Sequence, residues 1–302
     1  MPLRPDASPP TPRLGLSSAS TPSLSPEALI EQLVEQGYQG VEWRVADVSA
    51  LDPSRPWDAK HNNRCTVAPT TEAVSRIARR CQDAGLSIFG LSPYLAVGDL
   101  AYANQLLSLA AIAGQARLRL WAPAYEGERY SVGYERFRHF LDHLLPQAQA
   151  LGVQLALEVH QRTICSSPAL AMRVAQHYPA QALGIIYDLG NLAIEGREDV
   201  QLSLDLMGPH LAHVQVKNVA YAPRGDGLGW TWDWCPPDEG FLPLRAMLAT
   251  LQHNQFNDWV SVEDFDSRYP DRQKIARNRA LMHDYLNLPL GTPCTETEVT
   301  TR

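Results

Sequence analysis

Eight short apolar runs, each of strand length, alternate along the chain with stretches whose apolar residues recur at helical spacing. That alternation is the pattern of parallel βαβ construction. The runs lie near 13–18 (RLGLSS), 38–45 (YQGVEWRV), 86–92 (LSIFGLS), 117–123 (RLRLWAP), 153–160 (VQLALEVH), 183–189 (LGIIYDL), 211–218 (LAHVQVKN) and 258–265 (DWVSVEDF). No Gly/Ser-rich or Pro-rich linker separates them, so one closed (β/α)₈ barrel is expected, in which closure removes the exposed sheet edges. An open doubly wound sheet is the alternative. Two connections are much longer than the rest, 46–70 after the second strand and 222–240 after the seventh, and in a barrel both lie on the C-terminal face.

Helix boundaries are marked as well. Ser25-Pro26-Glu27 opens the first helix and Gly37 closes it, while Ser167-Pro168 and Pro270-Asp271 open later ones. In the stretch 133–151, Phe137, Phe140, Leu141, Leu144, Leu145 and Ala148 form one apolar stripe, with Arg136, Arg138, His139 and Asp142 opposite. The barrel domain is placed at 13–289, between loose segments at 1–12 and 290–302.

A composition of 45% hydrophobic and 20% charged residues is that of a globular protein whose core needs no disulfide or metal to hold it. The net charge of −7 argues against a nucleic-acid partner, since phosphate neutralisation needs clustered Lys and Arg. Cys65, Cys81, Cys165, Cys235 and Cys294 are scattered, without a C-x-x-C pair, and read as reduced thiols. The N-terminus lacks an apolar signal core, and no run reaches the ~18 apolar residues of a membrane span. A cytoplasmic protein acting on a small molecule is therefore expected.

Barrel strands are buried on both sides, so a charged residue inside one is costly unless it is paired or holds a metal. Four late strands carry such residues toward their C-terminal ends: Glu158 and His160 on the fifth, Asp188 on the sixth, Gln215 and Lys217 on the seventh, and Glu263 on the eighth. Three converging carboxylates repel one another, and a divalent cation is the usual remedy. Glu158, Asp188 and Glu263 are the carboxylates expected to share it. Oxygen donors without thiolates favour Mn²⁺ or Mg²⁺, with Co²⁺ admissible and Zn²⁺ less suited.

Several segments resemble the xylose isomerase-like barrels, specifically the sugar phosphate isomerase/epimerase group: GYQGVEWR at 37–44, LALEVH at 155–160, GIIYDLGN at 184–191 with EG at 195–196, HVQVKN at 213–218 and SVEDF at 261–265. The resemblance spans residues 13 to 287. It implies a metal held by Glu, Asp, His and Glu, carried here by Glu158, Asp188, position 215 and Glu263. This chain has Gln at 215, as in the hydroxypyruvate isomerases it resembles. The 3-dehydroshikimate dehydratases of the group share the Glu-x-His of Glu158 and His160 and the Lys two residues after the seventh-strand ligand. The ketose 3-epimerases usually carry His where this chain has Asn191. The endonuclease IV branch needs more His ligands and a basic face.

The reaction expected of such a site is enolisation, with Glu158, Glu263, His160 or Lys217 moving the proton. Isomerisation or epimerisation of a small sugar, sugar phosphate or hydroxy-keto compound is the first reading and dehydration the second. A non-catalytic sugar-binding barrel is the rival from another class. His213 is read as a core histidine. Glu42, Arg64, Arg224 and Trp232 are candidate substrate contacts. Arg64 belongs to a donor-rich cluster with Trp57, His61, Asn62 and Asn63, and Trp230, Trp232 and Trp234 alternate as a short lid able to stack on a sugar face or to meet a second copy of the chain.

Overall fold

The computed structural model describes residues 11–287, so the loose segments expected at 1–12 and 290–302 fall almost entirely outside the described residues. Eight parallel strands close into a barrel: β1 (Arg13–Ser17), β2 (Gly40–Val45), β3 (Ser87–Pro93), β4 (Arg117–Leu120), β5 (Leu155–Glu158), β6 (Leu183–Asp188), β7 (Leu211–Val216) and β10 (Trp259–Val262), with β10 pairing β1 to complete the ring. Every residue of β2, β5, β6 and β10 is buried. Strands covered on both faces need such continuous apolar runs rather than alternation.

The helices behave as their sequence signals predict. Ser25 accepts a hydrogen bond from the Ala28 N–H at the start of α1 (Pro26–Glu35), and Ser167 caps α5 (Pro168–Ala175) in the same way. The apolar stripe from Phe137 to Ala148 is wholly buried on α4 (Tyr130–Ala150). The remaining helices of the outer ring are α2 (Thr71–Asp83), α3 (Leu100–Ile112), α6 (Leu189–Ile194), α7 (Val200–Met207), α8 (Leu244–His253) and α9 (Asp271–Leu286). Inside the barrel, Phe89 stacks on Trp259 at 4.5 Å and meets His213 edge-on at 5.6 Å. His213 is thus a core residue.

The two long connections differ in kind. Residues 46–70 have little regular structure, and the loop is tied down by Asn62 and Asn63. Asn62 donates to the carbonyls of Asp52, Arg55 and Pro56, and Asn63 to those of Ala19 and Ala59. The second connection is a β-hairpin, β8 (Asn218–Pro223) paired antiparallel with β9 (Trp230–Cys235). The seventh barrel strand therefore ends at Val216, and Lys217 lies between it and the hairpin.

One side chain anchors the base of that hairpin. Asn218 donates to the carbonyls of Pro237 and Leu242 and accepts from the N–H groups of Val219 and Leu242. Replacing it with Ala orphans these buried groups, at a cost of about 2–3 kcal/mol. Asn218→Ala should lower Tm by about 5–10 °C and expose the segment 219–241 to limited proteolysis. An unchanged melting curve and digestion pattern would contradict this account.

Candidate functional site

The strand ends converge as the register requires. Asp188 pairs with Gln215 across β6 and β7, Gln215 with Ser261 across β7 and β10, and the Glu263 N–H donates to the Val216 carbonyl at 2.9 Å. Since β5, β6, β7 and β10 are neighbours in the barrel, Glu158, Asp188, Gln215 and Glu263 form a contiguous arc at its C-terminal mouth. All four are buried.

Lys217 stands within the arc. Its Nζ lies 2.6 Å from Asp188 Oδ2 and 2.6 Å from Glu263 Oε2, and the residue is 3% exposed. The stem reaches this position across Gly190, where an added Cβ would lie 2.2 Å from Lys217 Cγ. Burial alone would strip the ammonium of its proton, but Asp188, Glu263 and Glu158 outweigh that and hold its pKa above the ordinary lysine value. Lys217 is a cation here and a poor base.

Glu158 is saturated with donors. Arg119 Nη1 at 3.0 Å and Trp121 Nε1 at 2.6 Å donate to Oε2, and Asn191 Nδ2 at 2.9 Å donates to Oε1. Burial pushes its pKa up, but the Arg119 guanidinium and these donors bring it below the usual carboxylate range. Asp188 and Glu263 move the other way, because burial and the neighbouring carboxylates outweigh Lys217. Glu263 also accepts from Ser17 Oγ at 3.0 Å, which joins the first barrel strand to the last.

His160 lies at the rim, its ring 4.5 Å from that of Trp121. Its Nδ1 is 2.8 Å from the Gln161 carbonyl oxygen, which assigns the proton to Nδ1 and leaves Nε2 with a lone pair. Burial lowers its pKa, with Glu158 acting against that shift, which favours the neutral ring.

Below the arc, Glu42 accepts from Gln215 Nε2 at 3.0 Å, from Ser261 Oγ at 3.2 Å and from Ser92 Oγ, and stands 3.6 Å from His213 Nε2. It is wholly buried within the barrel and touches Gln215. By taking the amide nitrogen, Glu42 fixes which end of Gln215 remains. Gln215 Oε1 is buried without a hydrogen-bond partner, as is Asn191 Oδ1.

These features test whether the arc suits a metal. Three carboxylates and an orphaned amide oxygen are the hard donors that Mg²⁺ or Mn²⁺ takes. As the side chains stand, however, no group of three His, Cys, Asp or Glu among the described residues is arranged to hold an ion. Lys217 bridges two of the carboxylates, and Arg119 with Trp121 holds the third. The set fits in chemistry, with Lys217 in the way.

The expected substrate contacts are spread more widely. Arg64 is exposed, while Arg44, two strand positions beyond Glu42, is buried and bound to Tyr94 Oη, Thr66 Oγ1 and the Lys60 carbonyl. Arg224 is exposed at the hairpin tip and paired with Asp226. Trp232 packs on Trp234 at 5.1 Å, and it is Trp234 that lies over Lys217, its ring centroid 5.1 Å from Nζ. Arg119 and Trp121 were missed by the sequence reasoning. A buried strand reading Arg-Leu-Arg-Leu-Trp held the signal, since an interior arginine requires an acidic partner.

Comparisons with known proteins place this geometry in context. The model of the xylose isomerase-like TIM barrel family matches residues 30–285. The 3-oxo-isoapionate decarboxylase of Pectobacterium atrosepticum is 28% identical over 116 residues, 38% of this chain, and the match spans 40% of that protein's length. The structure of the IOLI protein with a zinc atom superposes with a TM-score of 0.72 at 16% identity, over 91% of this chain and 100% of that one. D-Psicose 3-epimerase with D-tagatose, from Clostridium cellulolyticum H10, gives a TM-score of 0.67 at 14% identity, over 91% and 99% of the two chains. At such identities the structural likeness is one of fold.

Glu42 generates a prediction about pH. Burial opposes its ionisation, but the His213 imidazole and the hydrogen bonds from Ser92 and Gln215 bring its pKa down from 4.5 to about 2. A carboxylate depressed in the folded state stabilises the protein above its unfolded pKa and loses that contribution as pH falls through the folded value. Stability attributable to Glu42 should therefore disappear between about pH 4.5 and about pH 2. Denaturant titrations across that window should show a shallower acid decline for Glu42→Gln than for the natural protein. Parallel declines would refute the assignment.

Proposed function

Because the chain belongs to the xylose isomerase-like TIM barrel family, we propose that it is an enzyme that isomerises or epimerises a small sugar, sugar phosphate or hydroxy-keto compound through an enediolate. One divalent ion, Mn²⁺ or Mg²⁺, would be held by Glu158, Asp188, Gln215 and Glu263. The observation that carries this reading is the arc of three carboxylates and one orphaned amide oxygen on four neighbouring strands at the C-terminal mouth, the face on which such barrels keep their chemistry. When bound, the ion supplies a Lewis acid for adjacent carbonyl and hydroxyl oxygens.

The protein's own groups divide the remaining work. Glu263, with its raised pKa, and neutral His160, with Nε2 free, are the two suited to accept a proton from carbon near pH 7. Glu158 is held too firmly as an ion by Arg119 and Trp121 to be a strong base, so it serves as an anchor. Charged Lys217 stabilises negative charge developing on a substrate oxygen, and the hairpin residue Trp234 shields it from water. Of the three alternating tryptophans, Trp234 is the one beside Lys217, with Trp232 packed against it, so this pair would supply the face that stacks on a sugar.

A second reading is favoured by Lys217 and His160 together. A cation that can donate a hydrogen bond to a departing β-hydroxyl, beside a base that takes the proton from carbon and hands it to the departing oxygen so that water leaves, suits dehydration of a hydroxy-keto substrate. Incubation with a panel of ketoses and hydroxy-keto acids in D₂O separates the readings. Deuterium incorporation next to the carbonyl without loss of water supports isomerisation or epimerisation, and appearance of an enone supports dehydration. Glu158→Gln should lower the rate at least ~100-fold while leaving the fold intact, and retained activity would sink the assignment.

Metal analysis bears on the non-catalytic alternative. A stoichiometric divalent ion, removed by chelator with a fall in Tm and restored by Mn²⁺ or Mg²⁺, is the expected result. Failure to bind either ion at micromolar concentration would favour a sugar-binding barrel without catalysis.

A further inference from the structure

Lys217 occupies the position between Asp188 and Glu263 that two ligands of a metal would share. We propose that it is a resident place-holder: its ammonium holds the two carboxylates together until a divalent ion enters, and then moves off the bridge. This inference rests on the metal reading above.

Three observations carry it. Nζ lies 2.6 Å from one oxygen of each carboxylate, so an ion coordinating those oxygens must take the place of the ammonium. The position is built into the chain, since the stem lies where a side chain at Gly190 would be, with Cγ 2.2 Å from an added Cβ. The rings of Trp234 and Phe265, each 5.1 Å from Nζ, cover the ammonium on the bridge.

The interaction stabilises the metal-free protein and opposes metal entry, so the two properties should change in opposite directions. In chelator, Lys217→Met should lower Tm by about 5–10 °C, and its Mn²⁺ affinity by calorimetry should be at least ~10-fold tighter than that of the natural protein. Removing a charge would tighten binding even without competition for position, so a second variant separates the two effects. Gly190→Ala, at a helical backbone position, keeps the lysine charge but puts a methyl group in the stem's path. It should also tighten Mn²⁺ binding. Unchanged affinity in Gly190→Ala, or a manganese-bound crystal structure with Nζ still bridging Asp188 and Glu263, would overturn the place-holder while leaving the metal reading intact. Binding by Lys217→Met but not by the natural protein would also overturn it, because the lysine would then exclude the ion instead of giving way to it. No binding by either would overturn both.

Discussion

The contact between the Lys217 ammonium and the carboxylates of Asp188 and Glu263 is the interaction on which the rest of the site depends. Burying several acids at the mouth of one barrel is untenable without a cation among them, because each would otherwise lose its charge or force the fold apart. The features around it follow from that requirement. Gly190 lacks a side chain where the lysine stem passes, Trp234 covers the ammonium, and Arg119 neutralises the remaining carboxylate, Glu158. Loss of Arg119 would leave the buried Glu158 without its ionic partner.

Beneath this layer lies another with a different task. Ser92, Ser261 and His213 surround the Glu42 carboxylate, which accepts from the amide nitrogen of Gln215 and so determines which of its two ends remains free. A histidine at this position would present a ring nitrogen. Glutamine presents an oxygen only if something fixes the amide, and Glu42 does so. The departure at residue 215 is thus supported by a residue more than a hundred positions away in the chain, brought beneath it by barrel closure. Ser17 plays a matching part for Glu263 across the seam between β1 and β10.

The barrel was legible because fully buried parallel strands must be written as apolar runs, and the arc was legible because Glu158, Asp188, Gln215 and Glu263 interrupt those runs at corresponding places. What lay beyond the sequence depends on distances between strands. Lys217 reads equally as base or counter-ion until its two acidic neighbours are seen at hydrogen-bond range. Arg119 looks like one member of an alternating strand until Glu158 is found beside it. The lid shows the same limit: Trp230, Trp232 and Trp234 mark an extended segment, but the partner strand from Asn218 to Pro223 has no comparable pattern, so neither its antiparallel pairing nor the approach of Trp234 to Lys217 is readable from the sequence. Asn62 and Asn63, with donors suited to a ligand, are occupied by the loop's own carbonyls.

The hairpin begins one residue after Lys217 and is pinned at its base by Asn218, whereas its tip around Arg224 to Gly229 is exposed and bound to little beyond itself. Its two ends therefore answer to different pressures. The tip can lengthen, shorten or change composition without disturbing the acid layer, while the base moves only if the lysine moves with it. A chain built this way can acquire a new preference among the molecules it admits by altering the outer six residues, and keep the same charge arrangement underneath.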